Sequence, residues 1–110
     1  REAAQACLDA ALDLLEGPEH IERAHVCQEI GRLAFRSGDN ERAIEWAERA
    51  LAQAERATAA AGANAEEARE GATAIAQACT TLGVALARLG RLEEAVRYTE
   101  RSGEVQSALT

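Results

Sequence analysis

Small apolar residues recur at seven-residue spacing along this chain, as Ala4 and Ala11 do and again Ala43 and Ala50. That spacing keeps the residues on one face of an α-helix. The positions around them are dominated by Ala, Leu, Glu, Arg and Gln, which are strong helix formers, whereas Val and Ile are few. The pattern therefore predicts an all-α chain.

Residues that stop and start helices interrupt this pattern at residues 17–18, 37–40, 61–64 and 90–91. Asp39 or Asn40 can cap one helix, and Asn64 with Glu67 three residues later is typical of a capping box at the start of another. Helices are predicted near residues 2–16, 18–36, 40–61, 65–89 and 92–108. Connections this short make successive helices antiparallel neighbours.

The two halves of the chain repeat one pattern at an offset of 52 residues, without an internal gap. The matched pairs are Gly31 and Gly83, Gly38 and Gly90, Ala43 and Ala95, Trp46 and Tyr98, and Cys27 and Cys79. Glycines, an alanine and an aromatic residue in the same order indicate an internal repeat rather than chance.

The repeated pattern resembles the tetratricopeptide repeat, a helix–turn–helix unit of about 34 residues. That family's motif has a Leu-Gly pair on the first helix, a turn Gly, an early Ala on the second helix, and another Ala seven residues later. The first copy presents Ile30, Gly31, Gly38, Ala43, Ala50 and Leu51. The second presents Leu82, Gly83, Gly90 and Ala95, but Ser102 and Gly103 stand where Ala and Leu belong. Neither copy has the usual closing Pro, and Ala34 and Leu86 replace the conventional aromatics of the first helix.

The resemblance implies a short right-handed α-solenoid of about five helices, in one segment of a longer protein. Residues 1–17 would be an orphan second helix, residues 18–61 the first repeat and residues 62–110 the second. Gly31 and Gly83 would let the two helices of each unit approach closely, with Ala43, Ala50 and Ala95 on the opposite side of the contact.

The 52-residue offset is about 18 residues longer than the usual repeat. Lengthening both inner helices by two to three turns would keep the second motif in phase. Two alanine stripes would then pack as an antiparallel arm: Ala50, Ala54, Ala57 and Ala61 against Ala65, Ala68, Ala72 and Ala76. The alternative is a low-complexity, Ala-rich linker.

Charge and composition narrow the possible partners. The net charge of −7 argues against nucleic acid, because phosphate binding needs a cationic face. No apolar run approaches the roughly 20 residues of a membrane span, so a membrane partner is not expected. All basic residues are Arg and about a quarter of the chain is Ala, an association with GC-rich bacterial genomes. Cys7, Cys27 and Cys79 form no C-x-x-C motif and are interpreted as small buried hydrophobes in a reducing cytoplasm.

Catalytic chemistry is not indicated. Glu22 and His25 have the spacing of a di-iron bundle motif, but a second Glu-x-x-His is missing, and His20 and His25 are five residues apart. No phosphate loop, serine-nucleophile motif or Cys–His dyad is present. The sequence predicts no catalytic, cofactor-binding or metal-binding residues.

The resemblance instead implies a peptide-binding face, because ligands of this family usually lie against the first helix of each repeat. Carrying those positions over gives His25, Gln28, Arg32, Phe35 and Arg36, and in the second copy Gln77, Thr80, Val84, Ala87 and Arg88. Arginine recognises carboxylates through its fork of donors, so an acidic peptide or protein is the expected partner. The alternative is a solvated arginine face with neighbours such as Glu29.

Two functions remain open. One is a protein–protein interaction scaffold, the repeat segment of a larger bacterial regulatory protein. The other is a self-assembly module, which forms a homo-oligomer through its uncapped, apolar ends. Long-helix repeats of this kind are similar to those in multidomain bacterial signalling proteins such as nucleotide cyclases and NTPase-type transcriptional regulators.

Overall fold

A computed structural model describes residues 20–62 and 64–109, and within those residues the chain forms four α-helices. The helices are α1, His20–Arg36; α2, Asn40–Ala61; α3, Ala65–Arg88; and α4, Leu92–Leu109. Each described helix end lies within one residue of its predicted position, which confirms the all-α prediction. The predicted helix at 2–16 and the predicted start at 18 lie outside the described residues.

Side-chain caps fix where α2 and α3 begin. The backbone N–H of Arg42 donates to Asp39 Oδ1 at 3.1 Å, so Asp39 rather than Asn40 is the cap of α2. The N–H of Glu67 donates to Asn64 Oδ1 at the same distance. Each cap satisfies one of the backbone donors that the first turn of a helix leaves without a partner.

The turn between the two helices of a unit occurs twice with the same hydrogen bonds. In the first unit, the Asp39 N–H donates to the carbonyl of Ala34 at 2.9 Å, and in the second the Arg91 N–H donates to Leu86 at 2.9 Å. This Schellman-type ending requires a left-handed residue after the helix, and Gly38 and Gly90 supply it with φ of +83° and +80°. The repeated turn supports the internal repeat in the sequence.

The helices stack as a short α-solenoid. Each helix packs against the next one in the chain, and α1 also contacts α3 directly. The first helices of the two units therefore lie side by side in one layer. The second helices, α2 and α4, are joined at their surface by an ion pair in which Arg101 donates to Glu55 at 2.6 Å.

Glycine sets the close approach of the helices within each unit. A Cβ on Gly31 would lie 3.4 Å from the carbonyl oxygen of Ala43, and one on Gly83 would lie 3.4 Å from that of Ala95. These are the same contact 52 residues apart. At Gly31 a Cβ would already be in van der Waals contact with the backbone of α2, and at Gly83 it would also lie 2.6 Å from Thr99 Oγ1, which would have to shift.

The other residues of the repeat signature surround these crossings. Four of them are buried: Ala43, Ala50, Ala95 and Trp46. Tyr98, which takes the place of Trp46 in the second unit, is partly buried against the same core. Small residues dominate this core, so its stability depends on closely spaced helix backbones rather than on large side chains.

The Ala-rich segment between the two motifs is helical on both sides of its turn, which overturns the linker alternative. Helices α2 and α3 have 22 and 24 residues, against 17 in α1 and 18 in α4. The extra turns keep the second motif in phase, as the 52-residue offset predicted.

The contact within this arm differs from the predicted pair of alanine stripes. On α2, Ala54 and Ala61 are buried, but on α3 Ala65 is exposed and Ala68 and Ala72 are only partly buried. Of that predicted α3 stripe only Ala76 is buried, and the other buried small residues in this part of α3 are Gly71, Ala74 and Ala78. A Cβ on Gly71 would clash with Thr58 Oγ1 and lie 3.2 Å from the Cα of Thr58, so this is the closest approach at any described glycine.

Ser102, which replaces the expected alanine of the second unit, is buried and hydrogen-bonded. Its hydroxyl donates to the carbonyl of Ala76 at 3.1 Å and shares a 2.8 Å hydrogen bond with the hydroxyl of Thr80. A buried hydroxyl with these partners avoids the cost of an unsatisfied polar group. Ser102 therefore fastens α4 to α3 where the first unit uses Ala50.

Trp46 is 6% exposed and lies under the guanidinium of Arg49, whose Cζ is 4.3 Å from the ring centre. We expect a tryptophan emission maximum well to the blue of that of tryptophan in water, shifting red when the chain is unfolded in urea. Since Trp46 is the only tryptophan, steady-state fluorescence reports on this position alone. An emission maximum that does not change on unfolding would contradict this burial.

Candidate functional site

The direct contact of α1 with α3 places the first helices of the two units side by side. We call the surface that α1 and α3 share at this contact the groove. A glutamine joins the two helices near the middle of α1, where Gln28 Nε2 donates to the hydroxyl of Thr81 at 2.9 Å and to the carbonyl of Gln77 at 3.3 Å. The contact fixes the register of α1 along α3.

A cation–π contact joins the two helices at the far end of the groove. The guanidinium Cζ of Arg88 lies 4.0 Å from the centre of the Phe35 ring. Phe35 is partly buried against the core, so the ring is a fixed platform, and Arg88 itself is exposed. A guanidinium stacked on a ring keeps its in-plane N–H donors available to a carboxylate.

The candidate residues of the sequence lie on α1 and α3, and most of them are exposed. The exposed ones are His25, Arg32, Arg36, Gln77, Thr80, Val84, Ala87 and Arg88, whereas Gln28 and Phe35 are partly buried. Of these, the structure brings Gln28 together with Gln77, and Phe35 together with Arg88.

Thr80 is exposed, and its hydroxyl contacts α4 rather than α1. Its hydroxyl donates to the carbonyl of Ala76 and pairs with Ser102 of α4. Thr81, one residue later, is the threonine that contacts α1. The reason is geometric: α1 and α3 turn different sides toward each other, so residues that correspond by the repeat offset do not face each other.

Arg32 and Arg36 extend the positive charge of this surface along α1. Arg32 lies 3.6 Å from Glu29, and both side chains are about half exposed, so this ion pair contributes little to stability. Arg36 is exposed in the last turn of α1, next to Phe35. Together with Arg88, Arg36 concentrates positive charge at the end of the groove.

Metal or nucleophile chemistry has no geometric support in the described part of the chain. Across residues 20–62 and 64–109, no three His, Cys, Asp or Glu side chains lie close enough to hold a metal ion, and Glu22 and His25 belong to no such group. Burial raises the pKa of the Cys27 thiol and of the Cys79 thiol, which keeps both protonated and poorly nucleophilic. Cys7 lies outside the described residues.

None of the four helices is both long and apolar enough to cross a lipid bilayer.

The chain forms two stacked helix–turn–helix units, and a glycine lies at the helix crossing of each unit. This arrangement defines a helical repeat protein. The family model of the tetratricopeptide repeat matches residues 24–56 and 76–104, two stretches that begin 52 residues apart and together cover more than half of the chain. The chain belongs to the tetratricopeptide repeat family, whose units form non-catalytic helical stacks that bind protein partners. Residues 57–75, which lie between the two matches, belong to the arm.

No curated protein and no solved structure matches the chain significantly.

Proposed function

We propose that the chain is a non-catalytic protein–protein interaction scaffold, the repeat segment of a larger bacterial regulatory protein in the cytoplasm. Its groove binds a peptide or protein surface rich in acidic side chains. The proposal for the partner rests on one observation above all, the stacking of Arg88 on Phe35 across the two first helices.

This contact matters because it holds an arginine in place before a partner arrives. A free arginine side chain loses rotamer freedom when it binds, and stacking on Phe35 reduces that loss. Arg36 is the next residue after Phe35 and Arg32 lies one turn earlier on α1, so three guanidinium groups can meet carboxylates along one surface.

The charge of the rest of the chain restricts an acidic partner to the arginine-bearing surface. The net charge of −7 repels acidic molecules in general, so an acidic partner would associate only where arginines outweigh the surrounding acids. Glu29 is the acid nearest to Arg32, and their 3.6 Å contact is weak enough for a partner's carboxylate to replace it.

Composition and the length of the arm support the bacterial regulatory parent. The chain has no lysine and is about a quarter alanine, and its repeat carries an arm two to three turns longer than the usual unit. Both features fit the long-helix repeats of multidomain bacterial signalling proteins.

The binding experiment uses a short fluorescein-labelled polyglutamate peptide as the probe and fluorescence anisotropy as the measurement. We expect the triple variant R32A/R36A/R88A to bind the probe at least about tenfold more weakly than the original chain, because hydrogen bonds to charged groups contribute about 1.5–3 kcal/mol each. Binding by the original chain should weaken from about 0.1 M to about 1 M salt, as the Debye length falls from about 10 to about 3 Å.

The matched control is the double variant R56A/R69A, which removes two exposed arginines from the arm. It should bind the probe like the original chain. All variants should keep their helical circular dichroism, since surface changes alter stability by about 0.5 kcal/mol or less. If the triple variant binds the probe as well as the R56A/R69A control does, the groove is not the acidic-partner site.

The second candidate function is self-assembly. The exposed apolar side chains of α4, Leu92 and Val96, favour it and lie outside the groove.

A further inference from the structure

The outer face of α4 carries the most exposed large apolar side chains of the described residues. Leu92 is 62% exposed and Val96 is 52% exposed, and Leu89 at the preceding turn adds a third apolar side chain. Leu92 and Val96 are four residues apart, so they share one face of the helix. We call Leu89, Leu92 and Val96 the α4 patch.

The internal repeat shows what kind of element fits on such a face. The residue of α2 that corresponds to Val96 is Ile44, which is only 8% exposed and belongs to the core between the helices. Val96 thus occupies a position that is covered by a helix in the first unit and uncovered in the second. A helix is therefore the element whose shape matches the α4 patch.

Two charged residues along one side of the patch indicate which helix covers it. Glu93 and Arg97 line a shallow, open depression of about 500 Å³ on α4 together with Leu92 and Val96. Neither Glu93 nor Arg97 forms an ion pair with another described residue, although Arg91 and Glu94 beside them do. The patch thus combines an apolar centre with one acid and one base that make no direct ion pair with a described residue, although the charge of Arg97 helps to lower the pKa of Glu94.

We propose that the α4 patch is a self-association surface that binds the α4 patch of a second copy of this chain. A two-fold axis perpendicular to α4, between the levels of residues 94 and 95, would set Leu92 of one copy against Val96 of the other. The same axis would set Glu93 of each copy against Arg97 of the other. Such an isologous contact is self-complementary in both apolar surface and charge.

The charge of the whole chain makes this face the suitable one for two copies to meet. Two chains that each carry a net charge of −7 repel each other over most of their surface. The charges of Glu93 and Arg97 cancel beside the α4 patch. Charge repulsion between two copies therefore opposes the burial of apolar surface less at this patch than elsewhere. The surface lies on a different helix from the groove, so this inference goes beyond the proposed binding of an acidic partner and stands or falls independently of it.

Sedimentation velocity of the whole chain over about 10 μM to about 1 mM tests the proposal, a range suited to a small interface. We expect the original chain to shift from monomer toward dimer across this range. V96D should raise the dissociation constant at least about tenfold, because it places a carboxylate in the apolar centre. The matched control V84D changes an exposed valine of α3, outside the patch, and should leave the dissociation constant unchanged.

Charge exchange tests the two-fold geometry itself. E93R alone places two arginines beside each patch, and R97E alone places two glutamates there. Like charges then face each other across the two-fold axis, so the dimer of each single variant should dissociate. Mixing the two variants should restore a dimer with one chain of each kind, since every arginine then faces a glutamate. The double variant E93R/R97E should self-associate like the original chain.

Three results would overturn the proposal. If the chain stays monomeric up to about 1 mM, the α4 patch does not bind a second copy, and the helix that covers it comes from another protein or from another part of the same protein. A dimer lost in V84D but kept in V96D would assign self-association to the groove. Single charge variants that dissociate without recovering in the mixture would exclude the isologous pairing of Glu93 with Arg97.

Discussion

Replacing Leu82 with alanine should lower the free energy of unfolding by about 2–5 kcal/mol, the cost of removing a large side chain from a packed core. Leu82 has no solvent exposure and is one of the largest fully buried side chains among the described residues. It precedes Gly83, so its surroundings are held by the closely spaced backbones of α3 and α4 and have little room to collapse around a cavity. Urea unfolding followed by circular dichroism measures the loss.

The control for this substitution is another leucine on the same unit. L92A removes a side chain that is 62% exposed, and at low protein concentration it should change stability by about 0.5 kcal/mol or less. Equal losses for L82A and L92A would mean that Leu82 is not in the core.

Replacing Gly71 with leucine should lower the free energy of unfolding by about 1–3 kcal/mol, the usual cost of overpacking. Any Cβ at this position meets Thr58, whose backbone Cα would lie 3.2 Å away and belongs to a regular turn of α2. The two helices of the arm must therefore separate to admit the side chain. Thermal unfolding should show the loss as a lower Tm.

Gly103 provides the opposite case, since no neighbour lies within 4 Å of a Cβ built there. G103L should raise stability by about 0.5–1 kcal/mol, because glycine is unfavourable inside a helix and nothing opposes its replacement. A G71L variant as stable as G103L would show that the arm is not closely packed.

The helices and their order could be predicted because their signals are local. Asp39, Asn64, Gly38 and Gly90 each act within a few residues, through a cap or a left-handed turn, and each lies where the structure ends or begins a helix. The 52-residue repeat added the pairing of helices into units, because a repeated sequence requires a repeated contact.

Contacts made only once in the chain could not be predicted in this way. The position that corresponds to Gly71 in the first copy is Glu19, so the repeat provides no guide to the contact of Gly71 with Thr58. Alanine stripes fit an arm at several rotations of its helices, and only the packed structure selects one. A glycine in the interior of a well-capped helix was the available signal, because it weakens a helix unless a close neighbour requires it.

The residues of the predicted binding face could be placed on α1 and α3 from the sequence, whereas their pairings could not, and the binding of a partner there stays a prediction. Positions taken from the repeat identified Gln28, Phe35 and Arg88, whose contacts lie between α1 and α3. They did not distinguish Thr80 from Thr81, because that choice depends on the rotation of α3 about its own axis. The rotation is set by contacts of α3 with three other helices at once.

The packing of each helix against the next one in the chain has a consequence for how this protein folds. Closing α1 on α2 orders only the three residues between them, so the loop entropy lost before the first contacts form is small. Proteins dominated by such short-range contacts fold within microseconds to milliseconds. During synthesis, each new helix finds its partner already in place, and the chain can gain structure from one end without waiting for the other.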